Sequence, residues 1–246
     1  MPRNNIGSSL FKRKKEFGPV LEHGPNLLLK GRLYMSKVYV FDLDGTLVDS
    51  MPYFERGMLA VADDEGLKYN DETIKIITPL GYLGSAKYYI SELGSKRSEE
   101  EIVASFKEKL YHEYTTNIYL KNGVEKYLKA LHGEGARLFV LTASPHLVTD
   151  ACLKKNGVYD LFEQIWSVDD FGLTKSGTEL FFKVANTIGC EPSEVNYFDD
   201  SLIALKNATA AGYNTYGVYD RHTEDELNAM RSGISVNAIL SFDELL

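Results

Sequence analysis

Val38-Tyr39-Val40-Phe41-Asp42-Leu43-Asp44-Gly45-Thr46 is the stretch on which the reading of this chain turns. Four apolar, strand-favouring residues run into two carboxylates and a glycine. A run this short and this uniformly apolar suits a strand buried on both faces, as in a parallel sheet. Two further runs repeat the pattern. Arg137-Leu138-Phe139-Val140-Leu141 stops at Thr142, and Glu194-Val195-Asn196-Tyr197-Phe198 stops at Asp199-Asp200. Thr215-Tyr216-Gly217-Val218-Tyr219 is a fourth run and Ala238-Ile239-Leu240 a fifth. Helical stretches alternate with these runs, so the expected fold class is α/β, a parallel sheet with covering helices.

Residues 51–119 interrupt the alternation. They are rich in helix formers, carry apolar residues at helical spacing (Ile102, Val103, Phe106, Leu110, Tyr114) and hold no convincing strand. The expectation is a helical insert between the first strand and the rest of the sheet. Its crossings fall near Ser50 and near Lys121-Asn122-Gly123. The domain plan is therefore a core of 35–50 plus 120–246, an insert of 51–119, and an appendage of 1–34. The appendage mixes Gly, Pro, Asn and Lys without sustained periodicity and reads as a disordered or dispensable extension, with Met35 just before the first clear strand.

Composition narrows the function classes. The chain has 246 residues, 44% hydrophobic and 25% charged, as globular proteins do. No window approaches the roughly 18 uncharged apolar residues of a membrane-spanning helix. Its two cysteines, Cys152 and Cys190, exclude a disulfide scaffold and a four-cysteine zinc site and fit a reducing, cytoplasmic compartment. The net charge of −8 is uneven: seven basic residues against two acidic ones give the first 34 residues +5, which leaves −13 for the body. An acidic body argues against nucleic acid as a partner, because phosphate backbones need basic contacts. The run Lys12-Arg13-Lys14-Lys15 reads as a solvated stretch, and neither nucleic acid nor membrane is expected as a partner.

Ligands of an open parallel sheet bind outside the carboxyl ends of its strands. Three of the runs end there in oxygen-bearing side chains: Asp42 with Asp44, Thr142, and Asp199 with Asp200. Carboxylates gathered in one crevice repel each other and any anionic substrate. A hard divalent cation resolves both problems, and Mg²⁺ favours a few carboxylates together with phosphate oxygens and water. Lys175, in a Gly/Ser/Thr-flanked stretch before a helix, is a source of further positive charge. The expected site binds Mg²⁺ and receives phosphate.

These residues carry a resemblance. Asp42-Leu43-Asp44-Gly45-Thr46 resembles the first motif (DxDGT) of the haloacid dehalogenase superfamily, Thr142 its second, Lys175 its third, and Phe198-Asp199-Asp200-Ser201 its acidic fourth. The stretch from Lys175 through Phe181 and Pro192 to Ser201, then Ala210-Ala211-Gly212, is similar to the phosphoglycolate phosphatase and β-phosphoglucomutase group. The resemblance covers about 37–246. It implies a Rossmann-like parallel sheet core with helices on both faces and an α-helical cap inserted after the first motif.

The implied activity is hydrolysis of the phosphate monoester of a small phosphorylated metabolite; the alternatives are a sugar-phosphate mutase that uses the same intermediate and a non-catalytic phosphate-binding module, against which the intact acidic set speaks. Asp42 attacks phosphorus to form an aspartyl-phosphate. Asp44 protonates the leaving alcohol and then activates the hydrolytic water. Mg²⁺ is held by Asp42, the Asp44 carbonyl and Asp200, with Asp199 as a ligand or just behind one. Thr142 and Ala143 bind the phosphoryl oxygens, and Lys175 stabilises Asp42 and the developing charge.

Two departures bear on this. Ser176 and Thr178 stand where the family usually has prolines after the lysine, and Phe54 stands where mutase members often carry a histidine. The second tilts the expectation from sugar-phosphate mutase to hydrolase. Asp44 argues against dehalogenation, since that branch lacks the second aspartate. Substrate choice is expected to lie in the insert, where Thr78-Pro79-Leu80-Gly81-Tyr82-Leu83-Gly84-Ser85 reads as a loop facing the crevice; Tyr82, Ser85 and Lys87 are the candidate substrate contacts. His146 reads as an ordinary first-turn helix residue and both cysteines as inert. The chain is expected to work as a monomer or homodimer.

Overall fold

The protein is described by a computed structural model covering residues 38–77, 80–221 and 237–246, together with the backbone of Leu28–Leu29 and Arg32–Leu33. Thr78, Pro79 and the Lys12–Lys15 run lie outside the described residues. The chain divides into two compact units, 1–36 and 37–246. In the first, strands β1 (Leu28–Leu29) and β2 (Arg32–Leu33) pair antiparallel.

The second unit carries a six-stranded sheet in the order β5-β4-β3-β6-β7-β8. The strands are β3 (Val38–Phe41), β4 (Arg137–Thr142), β5 (Gln164–Ser167), β6 (Val195–Asp199), β7 (Asn214–Val218) and β8 (Asn237–Ile239). Every neighbouring pair is parallel. The chain steps from β3 to β4 and β5 on one side, then returns to β6, β7 and β8 on the other. β3 and β6 thus flank the point where strand order reverses, the place where such sheets bind ligands.

Alternation along β3 explains why both faces are apolar. Tyr39 and Phe41 join one core cluster with α5 (Val124–Gly133) and α6 (His146–Lys155); Val38 and Val40 join another with α7 (Thr178–Ile188) and α8 (Leu202–Ala210). Helices therefore cover both faces. β5 is a strand that the apolar runs did not announce: only Ile165 and Trp166 are large and apolar in it, and it takes its ladder from β4, with Leu141 opposite Trp166.

The described part of residues 51–116 holds four helices and no strand: α1 (Met51–Glu65), α2 (Asp71–Ile77), α3 (Gly81–Ser91) and α4 (Glu99–Thr116). The segment from Gly81 to Ser85 is therefore the first turn of α3, a correction to the expected loop. The two glycines do not prevent helix here because α3 buries Ala86 and Tyr89 against the α4 stripe, with the Tyr89 and Phe106 ring centroids 5.2 Å apart. α4 starts at a capping box: Ser98 Oγ accepts from the Glu101 amide at 3.2 Å and Glu101 accepts from the Ser98 amide at 2.8 Å. Its stripe Ile102, Phe106, Leu110 and Tyr114 is buried.

The two chain crossings lie side by side. Val48 bridges Leu120 antiparallel, the Lys121 amide donates to the Leu47 carbonyl at 2.9 Å and the Asp49 amide to the Tyr119 carbonyl at 3.3 Å. Among the described residues no helix is long and apolar enough to cross a membrane.

Candidate active site

Asp42 follows directly on β3. Its amide donates to the Phe198 carbonyl at 2.9 Å, which extends the ladder by one residue and fixes Asp42 against the end of β6. The chain then turns sharply: the Leu47 and Val48 amides both donate to the Leu43 carbonyl, at 2.9 and 3.0 Å. Gly45 sits in this turn with φ 75°, a conformation that costs a side-chain-bearing residue about 1–2 kcal/mol. Space also demands glycine, since a Cβ there would stand 2.5 Å from Asp200 Oδ2.

Carboxylate oxygens of Asp42, Asp199 and Asp200 lie within 4.8 Å of one another. Lys175 joins two of them, its Nζ 2.5 Å from Asp42 Oδ1 and 2.8 Å from Asp199 Oδ2. Asp199 also accepts from the Tyr197 hydroxyl and from the Ser201 amide at 2.8 Å. Asp200 has Thr46 Oγ1 at 3.5 Å. Three of the four groups are carboxylates, so one ammonium does not balance them. Burial lifts the Asp42 carboxyl to about 7; Lys175 opposes the rise, and Asp199 and Asp44 add to it. Burial, Asp199 and Asp42 push Asp200 well above the carboxylate range. Burial disfavours the Lys175 ammonium, yet Asp199 and Asp42 outweigh it and hold its pKa above the usual lysine value. An oxygen-only, mutually repelling set of this kind fits a hard divalent cation.

Asp44 points to a different set of partners. Its Oδ1 accepts from the Tyr114 hydroxyl at 2.5 Å and its Oδ2 from Ser144 Oγ at 2.6 Å. Burial, then the Asp44 charge, raises the Tyr114 phenol well above its ordinary pKa, so it stays a donor. Thr142 closes β4, 1% exposed, and its Oγ1 accepts from the Ser144 amide at 3.0 Å. Ala143 between them is exposed.

The candidates on α3 separate. Tyr82 is half-buried, and its phenol is raised first by burial and then by the Asp44 charge. Ser85 is fully buried, with Oγ 2.7 Å from the Gly81 carbonyl and 2.9 Å from the Ile77 carbonyl. The hydroxyl is committed to its own helix and the preceding one, which corrects the expected substrate contact. Lys87 is exposed.

Phe54 packs half-buried against the core. His146 opens α6 and bonds Asp170 at 2.8 Å. Cys152 is fully buried and its thiol pushed up to about 12, first by burial and then by Asp44, which keeps it unreactive. Burial raises the Cys190 thiol as well.

Four functional neighbours escaped the sequence reading. Tyr114 sits on the apolar stripe of α4, where spacing alone reads it as packing. Ser144 lies two residues past Thr142 without a periodic signal. Tyr197 is interior to a strand. Lys121, at the second crossing, donates to the Gly45 and Tyr219 carbonyls and to Asp220, so one ammonium ties the crossing, the turn at Gly45 and the end of β7 together.

Comparison with known proteins identifies the family and the fold. Residues 39–218 match the family model for haloacid dehalogenase-like hydrolases. The chain is 25% identical over 217 residues to the candidate phosphatase YhcW of Bacillus subtilis, covering 86% of this chain and 98% of that one. It is 28% identical over 204 residues to a phosphoglycolate phosphatase of Vibrio vulnificus, covering 74% and 84%. Its fold is similar to that of a candidate β-phosphoglucomutase of Thermotoga maritima, with a TM-score of 0.73 at 21% identity over 85% of this chain and 96% of that one.

Proposed function

The chain belongs to the haloacid dehalogenase-like hydrolase family, and from that premise we propose that it hydrolyses a small phosphate monoester, with Mg²⁺, through an aspartyl-phosphate on Asp42. One observation carries the reading: Asp42 stands at the strand-order reversal with Lys175 on one oxygen and the Asp199 and Asp200 carboxylates beside it. Asp42, the Asp44 carbonyl and Asp200 would hold the cation, with Asp199 as ligand or support. When bound it neutralises the carboxylates and orients the phosphoryl group.

The chain's own residues do the rest. Asp42 Oδ attacks phosphorus while the ester bond to the leaving alcohol breaks, and Asp44 gives that alcohol its proton. Asp44 then takes a proton from water as the water oxygen attacks phosphorus, which frees Asp42 and inorganic phosphate. Thr142 and the backbone of the exposed residue Ala143 receive phosphoryl oxygens. Lys175 keeps Asp42 ionised for attack and offsets charge as it develops. Residues 51–119 act as a cap that excludes water and chooses the substrate, with Tyr82 and Lys87 as contacts. The core is 35–50 with 120–246.

The same intermediate serves a mutase, which returns the phosphoryl group to sugar. Phe54, an apolar packing residue, offers no proton-transferring group where mutases often carry one, and this favours water as the acceptor. The test is phosphate release from 4-nitrophenyl phosphate with Mg²⁺ or a chelator, for wild type and Asp42→Asn. Release that needs Mg²⁺ and vanishes in the variant is expected; full activity in Asp42→Asn sinks the nucleophile. Isomerised hexose phosphate without free phosphate, from a hexose 1-phosphate, would establish the mutase instead.

A further inference from the structure

We propose that Tyr114 is a positioning residue that aims the Asp44 carboxylate at the leaving-group oxygen, so that the acid is set only while α4 is seated on the core. This rests on the reading of Asp44 as acid and base.

The carboxylate is gripped from two directions. Tyr114 reaches Oδ1 from α4 at 2.5 Å, and Ser144 reaches Oδ2 from the segment after β4 at 2.6 Å. A carboxylate offers about four acceptor sites. Two hydroxyls fill two of them and leave two for proton exchange with the substrate. What the hydroxyls remove is rotation. Asp44 sits in a turn, not a strand, and its carboxylate plane is otherwise set only by its own torsions. Fixing a catalytic group in its reacting orientation is among the larger contributions available to an enzyme.

Tyr114 is itself held firmly. It is 4% exposed and closes the α4 stripe. The residue before it, Glu113, accepts from Arg56 Nε on α1 at 3.0 Å and from Asn117 Nδ2 at 2.7 Å. The last turn of α4 is thereby pinned to α1 and leads directly into the crossing paired with residues 47–49. Asp44 therefore receives one restraint from the core and one from the insert. Lifting α4 takes away the second.

The experiment uses leaving groups of different basicity. A nitrophenolate departs without a proton, whereas the more basic phenolate needs one. kcat/KM is measured for wild type, Tyr114→Phe, Ser144→Ala and Asp44→Asn on 4-nitrophenyl phosphate and phenyl phosphate. Tyr114→Phe is expected to lose less than about threefold on the nitrophenyl ester and about ten- to a hundredfold on the phenyl ester. Asp44→Asn should show the same bias more strongly. Ser144→Ala tests the same grip should Tyr114→Phe fold poorly, and its loss should grow in the same direction. If Asp44→Asn shows the bias but neither hydroxyl variant does, the positioning role is wrong and the acid stands. If Asp44→Asn loses equally on both esters, the acid assignment itself fails.

Discussion

Substituting Gly45 by alanine separates backbone strain from damage to the cation site. The residue has φ 75°, so alanine there costs about 1–2 kcal/mol. For a unit of this size that lowers the melting temperature by roughly 2–8 °C. The second effect is spatial. The new Cβ would stand 2.5 Å from Asp200 Oδ2, and an ordinary contact begins near 3.4 Å. The Asp200 carboxylate must therefore retreat by about 0.9 Å, a misplacement of the size that costs on the order of 10²-fold in a preorganised site. Gly66 and Gly189 supply the control, with φ 64° and 78° and nothing within 4 Å of a built Cβ. Alanine at either carries the strain alone. Thermal denaturation of the three variants should give similar losses. Phosphate release against Mg²⁺ concentration should show a raised half-saturation and lowered kcat for Gly45→Ala only. If Gly45→Ala keeps the activity and Mg²⁺ dependence of Gly189→Ala, then the contact with Asp200 does not matter and the cation-site geometry is wrong.

Three further outcomes follow from the same contacts. Lys175→Met removes the cation between Asp42 and Asp199 and should lower kcat/KM about 10²–10³-fold at saturating Mg²⁺; a loss under threefold contradicts its role. The hydrogen bond to Asp170 raises the His146 pKa, so this tether stabilises the fold below about pH 6.5 and the gain fades as pH rises through the raised value. Both groups are partly exposed, so His146→Gln should lose no more than about 1 kcal/mol, in melts at pH 5.5 and not at pH 8.5. Ser85→Ala gives up a hydroxyl bonded to two carbonyls and should cost about 1–2 kcal/mol in urea denaturation while leaving kcat/KM unchanged.

What could be read from the sequence was local. Val38–Phe41, Arg137–Thr142 and Val195–Asp199 are apolar enough to declare themselves, and the carboxylates and threonine that terminate them are adjacent in sequence to the strands that place them. β5 did not declare itself, because an edge strand of four residues borrows its identity from β4. The helix starting at Gly81 was hidden by two glycines whose cost is outweighed by the packing of Ala86 and Tyr89. Tyr114 is legible as a packing residue, which it is, but no further: helical spacing reports that a face is buried and not that a hydroxyl at its end meets a carboxylate 70 residues away. Lys121 and Ser144 likewise act across long sequence separations, through contacts that no period encodes.

The central claim is a covalent phosphoryl group on Asp42, and Asp44→Asn offers the means to see it. With 4-nitrophenyl phosphate, formation of the intermediate needs little help from an acid, whereas its hydrolysis needs the lost base. Rapid acid quench followed by peptide mass spectrometry should find one phosphoryl group on the peptide bearing Asp42, matched by a burst of one nitrophenolate per protein. A phosphoryl group on another residue, or steady turnover with neither burst nor labelled peptide, would contradict the account.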